Sequence, residues 1–132
     1  MLIHLEIVSM QKRIFSGNVK NISTSGFYGE LGIYPGHTQL LTAIKPGFVK
    51  FLNKNNKYNI FYISGGILEV QPNYVSVLGD FIIKSNKLNY KKILKKKKKL
   101  EIKIIKNKYS KNIKKKILKL KAKIKVINMI HN

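Results

Sequence analysis

The residues best suited to chemistry in this chain are Glu30 and His37, which sit near the two ends of the stretch GELGIYPGH at positions 29–37. A carboxylate and an imidazole seven positions apart could share a metal in a folded loop, or present hydrogen-bonding groups to a partner. The metal reading lacks support, because the three histidines, His4, His37 and His131, are scattered and show no ligand spacing. The chain has no cysteine, which removes thiolate catalysis, disulfides and cysteine-based zinc sites together. No GxSxG elbow, GxxxxGK[ST] phosphate loop or GxGxxG turn is present. Five acidic residues in 132 positions leave little room for the paired carboxylates of acid–base work. An enzyme acting alone is not indicated, and neither a cofactor nor a metal is implied. Docking is the better use for Glu30 and His37.

Positioning such groups falls to the elements around them. Ile3, Leu5 and Ile7 alternate with His4, Glu6 and Val8, the period of a strand with one buried face. Val19 to Ile22 is a second short candidate. GFVKFL (47–52) and KYNIFYIS (57–64) flank Asn53-Lys54-Asn55-Asn56, where asparagine tolerates the positive φ of a hairpin turn. GILEVQ (66–71) runs into Pro72-Asn73, then Tyr74 to Leu78 and Phe81 to Lys84. Turn signals every eight to twelve residues, with no helical period between them, predict a β-sandwich or barrel. The stretch 29–37 reads as a rigid loop, in which Gly29, Gly32 and Gly36 supply positive φ and Pro35 fixes a turn. Gly65-Gly66 reads as a bulge or tight strand junction, and Phe48, Phe51, Phe61, Tyr62 and Phe81 as mostly core.

After residue 86 the period changes. Ile113, Ile117, Leu120, Ile124 and Ile127 form a helical seam, and Tyr90, Ile93, Lys97, Leu100 and Ile104 form another with Lys97 intruding. The segment 107–112 between them is rich in capping residues. The expected fold class is therefore α+β: a sandwich over 1–86 and an antiparallel helical hairpin over 87–132.

Charge divides the chain at the same place. Residues 1–86 carry eight basic residues against four acids, and residues 87–132 carry nineteen lysines against Glu101. The halves have net charges of +4 and +18. Lys91/Lys95, Lys92/Lys96 and Lys95/Lys99 are like-charge i,i+4 pairs, each costing a few tenths of a kcal/mol, and lysine in a first turn opposes the macrodipole. The hairpin should therefore be weakly held and able to rearrange. Two readings of the lysines follow: a solvated or partner-facing helix pair, or a nucleic-acid-binding surface tracking phosphates. A single arginine and the lack of an aromatic platform in this half disfavour specific nucleic-acid recognition. The start, MLIHLEIV, makes a poor signal peptide, and no window approaches the ~20 apolar residues of a spanning helix.

Five blocks carry a more specific signal: Phe15-Ser16-Gly17, GELGIYPGH at 29–37, LLTAIKPG at 40–47, YISGGILEVQP at 62–72, and Val75 with Val77-Leu78. In order and spacing the chain resembles the epsilon subunit of the bacterial rotary proton-driven ATP synthase, over most of residues 1–84. The helical half matches in pattern and length. The resemblance implies a non-catalytic central-stalk subunit bound to the gamma subunit and the membrane ring, turning with them during ATP synthesis. Peripheral attachment to the cytoplasmic face of the bacterial inner membrane follows from that position. It makes Gly29, Glu30, Leu31, Gly32, Ile33, Tyr34, Pro35, Gly36 and His37 a docking loop for ring and gamma. It also implies that the C-terminal helices can extend toward the alpha and beta subunits and block hydrolysis. Lys95, Lys99, Lys103, Lys114 and Lys115 then meet an acidic loop of beta.

One motif departs from the family. Some members bind ATP through [IL]DxxRA at the start of the first helix, where this chain has Leu88-Asn89-Tyr90-Lys91-Lys92-Ile93. Asn89 replaces aspartate, Lys92 replaces arginine without its planar fork, and Ile93 crowds a site shaped for alanine. These changes argue against nucleotide binding and leave Asn89 as a helix cap.

Overall fold

The computed structural model describes residues 1–105 and 111–130. Residues 107–110 of the expected interhelix segment and His131 lie outside that set, as does the side chain of Lys103. Ten strands come first: β1 (Ile3–Ser9), β2 (Arg13–Val19), β3 (Asn21–Gly26), β4 (Gly29–Ile33), β5 (Leu40–Ile44), β6 (Gly47–Leu52), β7 (Tyr58–Ile63), β8 (Gly66–Gln71), β9 (Tyr74–Gly79) and β10 (Ile82–Lys84). A 3-10 turn at Ser85–Lys87 leads into α1 (Tyr90–Ile105) and α2 (Lys111–Ile130).

The strands form two sheets, β2-β1-β9-β8-β5 and β10-β7-β6-β3-β4. Neighbours run antiparallel except β1 and β9, which are parallel. Alternation decides the interior. Ile3, Leu5 and Ile7 meet Leu68, Val70, Val75 and Val77 from the first sheet and Ile22, Ile33, Val49, Phe51, Phe61 and Ile63 from the second. Their burial supplies the main driving force for the sandwich, at ~25 cal/mol per Å² removed from water. The expected hairpin at 53–56 forms, with Asn56 at φ 61° and the Asn53 carboxamide accepting from the Asn55 and Lys57 amides.

Two expectations are corrected. The short candidate at residues 19–22 is the junction of two longer strands, β2 and β3, broken at Lys20; the polar stretches SGN and STS hid them. The stretch 29–37 is not one loop. Its first five residues are β4, paired with β3 from Gly26↔Gly29 to Ile22↔Ile33, because Leu31 and Ile33 face the core and give the strand a buried side. Turn geometry is confined to residues 34–37.

Strands β6, β7 and β10 of the second sheet carry apolar residues on both faces. Phe48 and Tyr62 are register partners that point away from the sandwich core, and Ala122, Val126 and Met129 of α2 cover them. Continuous runs such as IFYI are the sequence mark of a strand buried on both sides. The opposite stripe of α2, with Leu120 and Ile127 buried and Ile124 half-buried, packs on Ile93 and Leu100 of α1, as the heptad spacing predicts, and Ile117 of the same seam is also buried. The helices thus fold as a third layer against the sandwich. Lys97, the intruder in the α1 seam, is half-buried and lies 3.8 Å from Glu101. No helix among the described residues is long and apolar enough to cross a membrane.

Candidate functional site

The β3–β4 hairpin has a tight, exposed tip. A Cβ on Gly26 would stand 2.6 Å from the Gly29 carbonyl, and Gly29 itself adopts φ +134°, so both positions need glycine. Between them Phe27 is half exposed and Tyr28 is 99% exposed. Their rings meet edge to face at 5.3 Å, and the Lys45 ammonium sits 4.5 Å from the Phe27 ring centroid. Glu30 follows at once. Its Oε1 accepts from the Ser23 hydroxyl at 2.8 Å, which steers the carboxylate while leaving its remaining lone pairs for a partner. Tip and carboxylate line a groove of about 240 Å³ that continues onto Leu40 and Thr42 of β5.

His37 is elsewhere. β4 rises ~3.3 Å per residue, so Glu30 near its start and His37 beyond its end occupy different ends of the strand. The Tyr34–His37 turn closes through the His37 amide donating to the Tyr34 carbonyl at 3.1 Å, and the Gly36 amide ties it to the Pro72 carbonyl at 2.7 Å. Gly36 has φ +86°. The ring of His37 donates from Nδ1 to the Thr38 carbonyl at 2.7 Å, which turns Nε2 into the free acceptor of that tautomer. Gly32, expected to supply positive φ, is instead an extended residue of β4 paired with Ser23, and Tyr34 is exposed. Glu30 and His37 therefore cannot share a metal, and no cluster of three potential ligands exists among the described residues.

The outer face of the first sheet, which the helices leave uncovered, carries three parallel rows of side chains. One is apolar: Val8, Leu78, Ile67 and Ala43 are successive register partners across β1, β9, β8 and β5. Leu41, 71% exposed, adjoins it. The middle row holds Glu6 and Glu69 on either side of Ser76. Glu6 accepts from the Ser16 hydroxyl at 2.6 Å and the His4 ring at 2.8 Å, with Arg13 Nε at 3.2 Å from its other oxygen. Those donors, the Ser16 hydroxyl foremost, hold its carboxyl below the usual carboxylate range. In the third row His4 stacks on Tyr74 with centroids 5.8 Å apart.

In the helical pair, Lys95, Lys99, Lys114 and Lys115 are exposed, with no ion pair among the described residues. At the start of α1 the Asn89 carboxamide accepts from the Lys92 amide at 3.1 Å, the expected N-cap. Ile93 is buried between the helices and Leu88 is half-buried under both helical clusters. This stretch is spent on starting and packing a helix.

Sequence reasoning missed two features. Phe27 and Tyr28 are adjacent aromatics in a turn, a cue that the glycine-rich stretch after them obscured. The apolar row was masked because each of its members lies beside a core residue in the chain.

Residues 2–85 match the family model described as ATP synthase, Delta/Epsilon chain, beta-sandwich domain. Two solved structures are similar in fold. One is the Euglena gracilis mitochondrial ATP synthase, OSCP/F1/c-ring in rotational state 1, with a chain 17% identical at a TM-score of 0.79, covering 98% of this chain and 79% of that one. The other is the Tetrahymena thermophila mitochondrial ATP synthase central stalk/c-ring, 16% identical at a TM-score of 0.55, covering 64% and 68%.

Proposed function

Because this chain belongs to the ATP synthase Delta/Epsilon chain beta-sandwich family, we propose that it is the epsilon-type subunit of the central stalk of a rotary proton-driven ATP synthase. It has no active site of its own. It couples rotation of the membrane ring to ATP synthesis in the catalytic head, and it sits peripherally on the head side of the membrane through its partners. The bacterial inner membrane is the setting that the sequence resemblance implies.

The observation that carries this reading is the hairpin tip. Family membership supplies the kind of partner, and the tip supplies the means: two exposed aromatic rings beside a steered, incompletely satisfied carboxylate. Glycines at 26 and 29 fix its shape, so little conformational entropy is lost when it docks. Glu30 meets basic or amide groups of a ring loop. The apolar row on the outer face of the first sheet, with His37 at the far end, faces gamma; desolvating that row is what would hold a rotor subunit to its shaft. The helical pair acts as a brake on ATP hydrolysis when it leaves the sandwich, with Lys95, Lys99, Lys103, Lys114 and Lys115 approaching acidic segments of beta in the alpha-beta hexamer. Nucleotide binding at residues 88–93 forms no part of this role.

The test is made in the assembled complex. Glu30→Lys is expected to weaken coupling or assembly, and normal coupling in that variant would remove Glu30 from the docking role. Truncation after Ser85 should preserve synthesis and raise hydrolysis; loss of assembly instead would place the docking function in the helices.

A further inference from the structure

We infer that the seam between β2 and β10 is a binding cleft for an amphipathic organic anion, with a carboxylate or phosphate head on an apolar chain.

The seam exists because the facing edges are unequal. β2 is seven residues long, whereas β10 has three, so the second sheet stops short and the layers stay open along this side. The opening is a cleft of about 610 Å³, within the usual ~300–1,000 Å³ of small-molecule sites. Phe15 from β2, Phe61 from β7 and Ile82 from β10 are part of its lining. Phe51 lies behind them, 4.4 Å from Phe15 and 6.1 Å from Phe61 between ring centroids. The floor is therefore a continuation of the sandwich core.

Two polar side chains point inward at this place. Lys84 is the register partner of Phe61, and Asn59 is the register partner of Phe51. Register partners share a sheet face, and both phenylalanines belong to the core. Lys84, exposed, and Asn59, half-buried, thus stand on the inward faces of their strands at the mouth of the gap between the sheets, where the core runs out. Neither side chain has a hydrogen-bond or ion-pair partner among the described residues. Lys12, Arg13 and Lys87 add positive charge to the lining, with Asp80 as its one carboxylate among the described residues. An apolar floor beneath an ammonium and a carboxamide donor fits a ligand that is apolar along its length and anionic at its end. Donors aimed at a charged head give the stronger class of hydrogen bond. An inward lysine also protects a sheet edge against strand addition, and the experiment separates that role from binding.

The experiment uses the full chain with isotope-labelled isoleucine methyl groups. Dodecyl phosphate, kept below its micelle concentration, should shift the Ile14 and Ile82 methyls saturably and leave Ile93 and Ile127 in place. Dodecyltrimethylammonium, with the same chain and opposite charge, should bind at least about tenfold more weakly, and Lys84→Gln should weaken dodecyl phosphate by about the same factor. Lys116→Gln with Lys121→Gln, two exposed lysines of α2 whose loss lowers net charge away from the cleft, should leave affinity unchanged. Shifts confined to the helices, or equal affinity for the cation, would overturn the proposal in favour of nonspecific attraction. No binding would leave Lys84 as edge protection. Inorganic phosphate binding as tightly as its dodecyl ester would overturn the apolar half of the ligand.

Discussion

The sandwich and the helical pair are held by different means. The sandwich buries one continuous cluster of sixteen apolar side chains drawn from both sheets, and its hydrogen-bond ladders link five strands in each sheet, with a register shift at Ile7/Val8 in the β1–β2 pair. The helices are held by two smaller clusters, one against Phe48 and Tyr62 and one between themselves. Their contact with the sandwich also includes a flaw: Tyr62 is fully buried, and its hydroxyl has no partner among the described residues. Burying a hydroxyl unpaired costs ~1–3 kcal/mol by mutational measures. Lys123 packs over Tyr62 and Phe81 in the same contact, 5.2 and 5.4 Å from their ring centroids. Burial there, reinforced by Lys96 and Lys119, lowers its pKa. The sandwich has a like flaw, since the buried Thr24 hydroxyl is also unpaired among the described residues, but it spreads that cost over one large core, whereas the helices rest on two small clusters.

Cutting into the sandwich should produce the largest effect. Leu5→Ala removes a fully buried side chain and is expected to cost ~2–5 kcal/mol, seen as a lower urea midpoint for the strands and the helices together. If the helices kept their own midpoint in that variant, they would be a separate folding unit. Val126→Lys is expected to release α2 while the sandwich persists. Amide exchange should accelerate in residues 112–129 and stay slow in β1, β8 and β9; exchange accelerating in both regions would erase the contrast. Tyr62→Phe should do the reverse, strengthening helix docking by ~1 kcal/mol because it deletes the orphan hydroxyl and keeps the ring.

The smallest effect is on pH. The depressed Lys123 group opposes docking while it is charged, so docking should strengthen as pH rises through its folded pKa toward 10.5, the undocked value. Tyr62 has the opposite sign. Burial pushes its hydroxyl up to about 12 from 10, so its contribution is full below pH 10 and is lost as pH climbs toward 12. Helix protection should therefore peak near pH 10, and a monotonic fall from neutral pH would show that Lys123 is not held in this contact.

Some of this was legible in the amino-acid order and some was not. β1, β6, β8 and β9 and the seam of α2 could be read because a period of two or of three to four reports which side chains share a face. β2 and β3 were hidden because small polar residues line their outer positions, and β4 because its glycines signal turns more loudly than Leu31 and Ile33 signal a strand. Of the candidate site, Glu30 was visible as an acid with no turn-forming reason to be there. Its separation from His37 was not, since that depends on whether the chain between them is coiled or extended.

Local order alone determined the two-part division, the hairpin at 53–56 and the cap at Asn89, because those follow from near-neighbour sterics and hydrogen bonding. Tertiary structure decided the rest. It put Phe48 and Tyr62 under α2 rather than in the sandwich, aligned Val8, Leu78, Ile67 and Ala43 from four strands into one row, and turned Lys84 and Asn59 inward. Each of these depends on strand register and sheet order, which are set by how distant segments share a core and leave no periodic mark within any one segment.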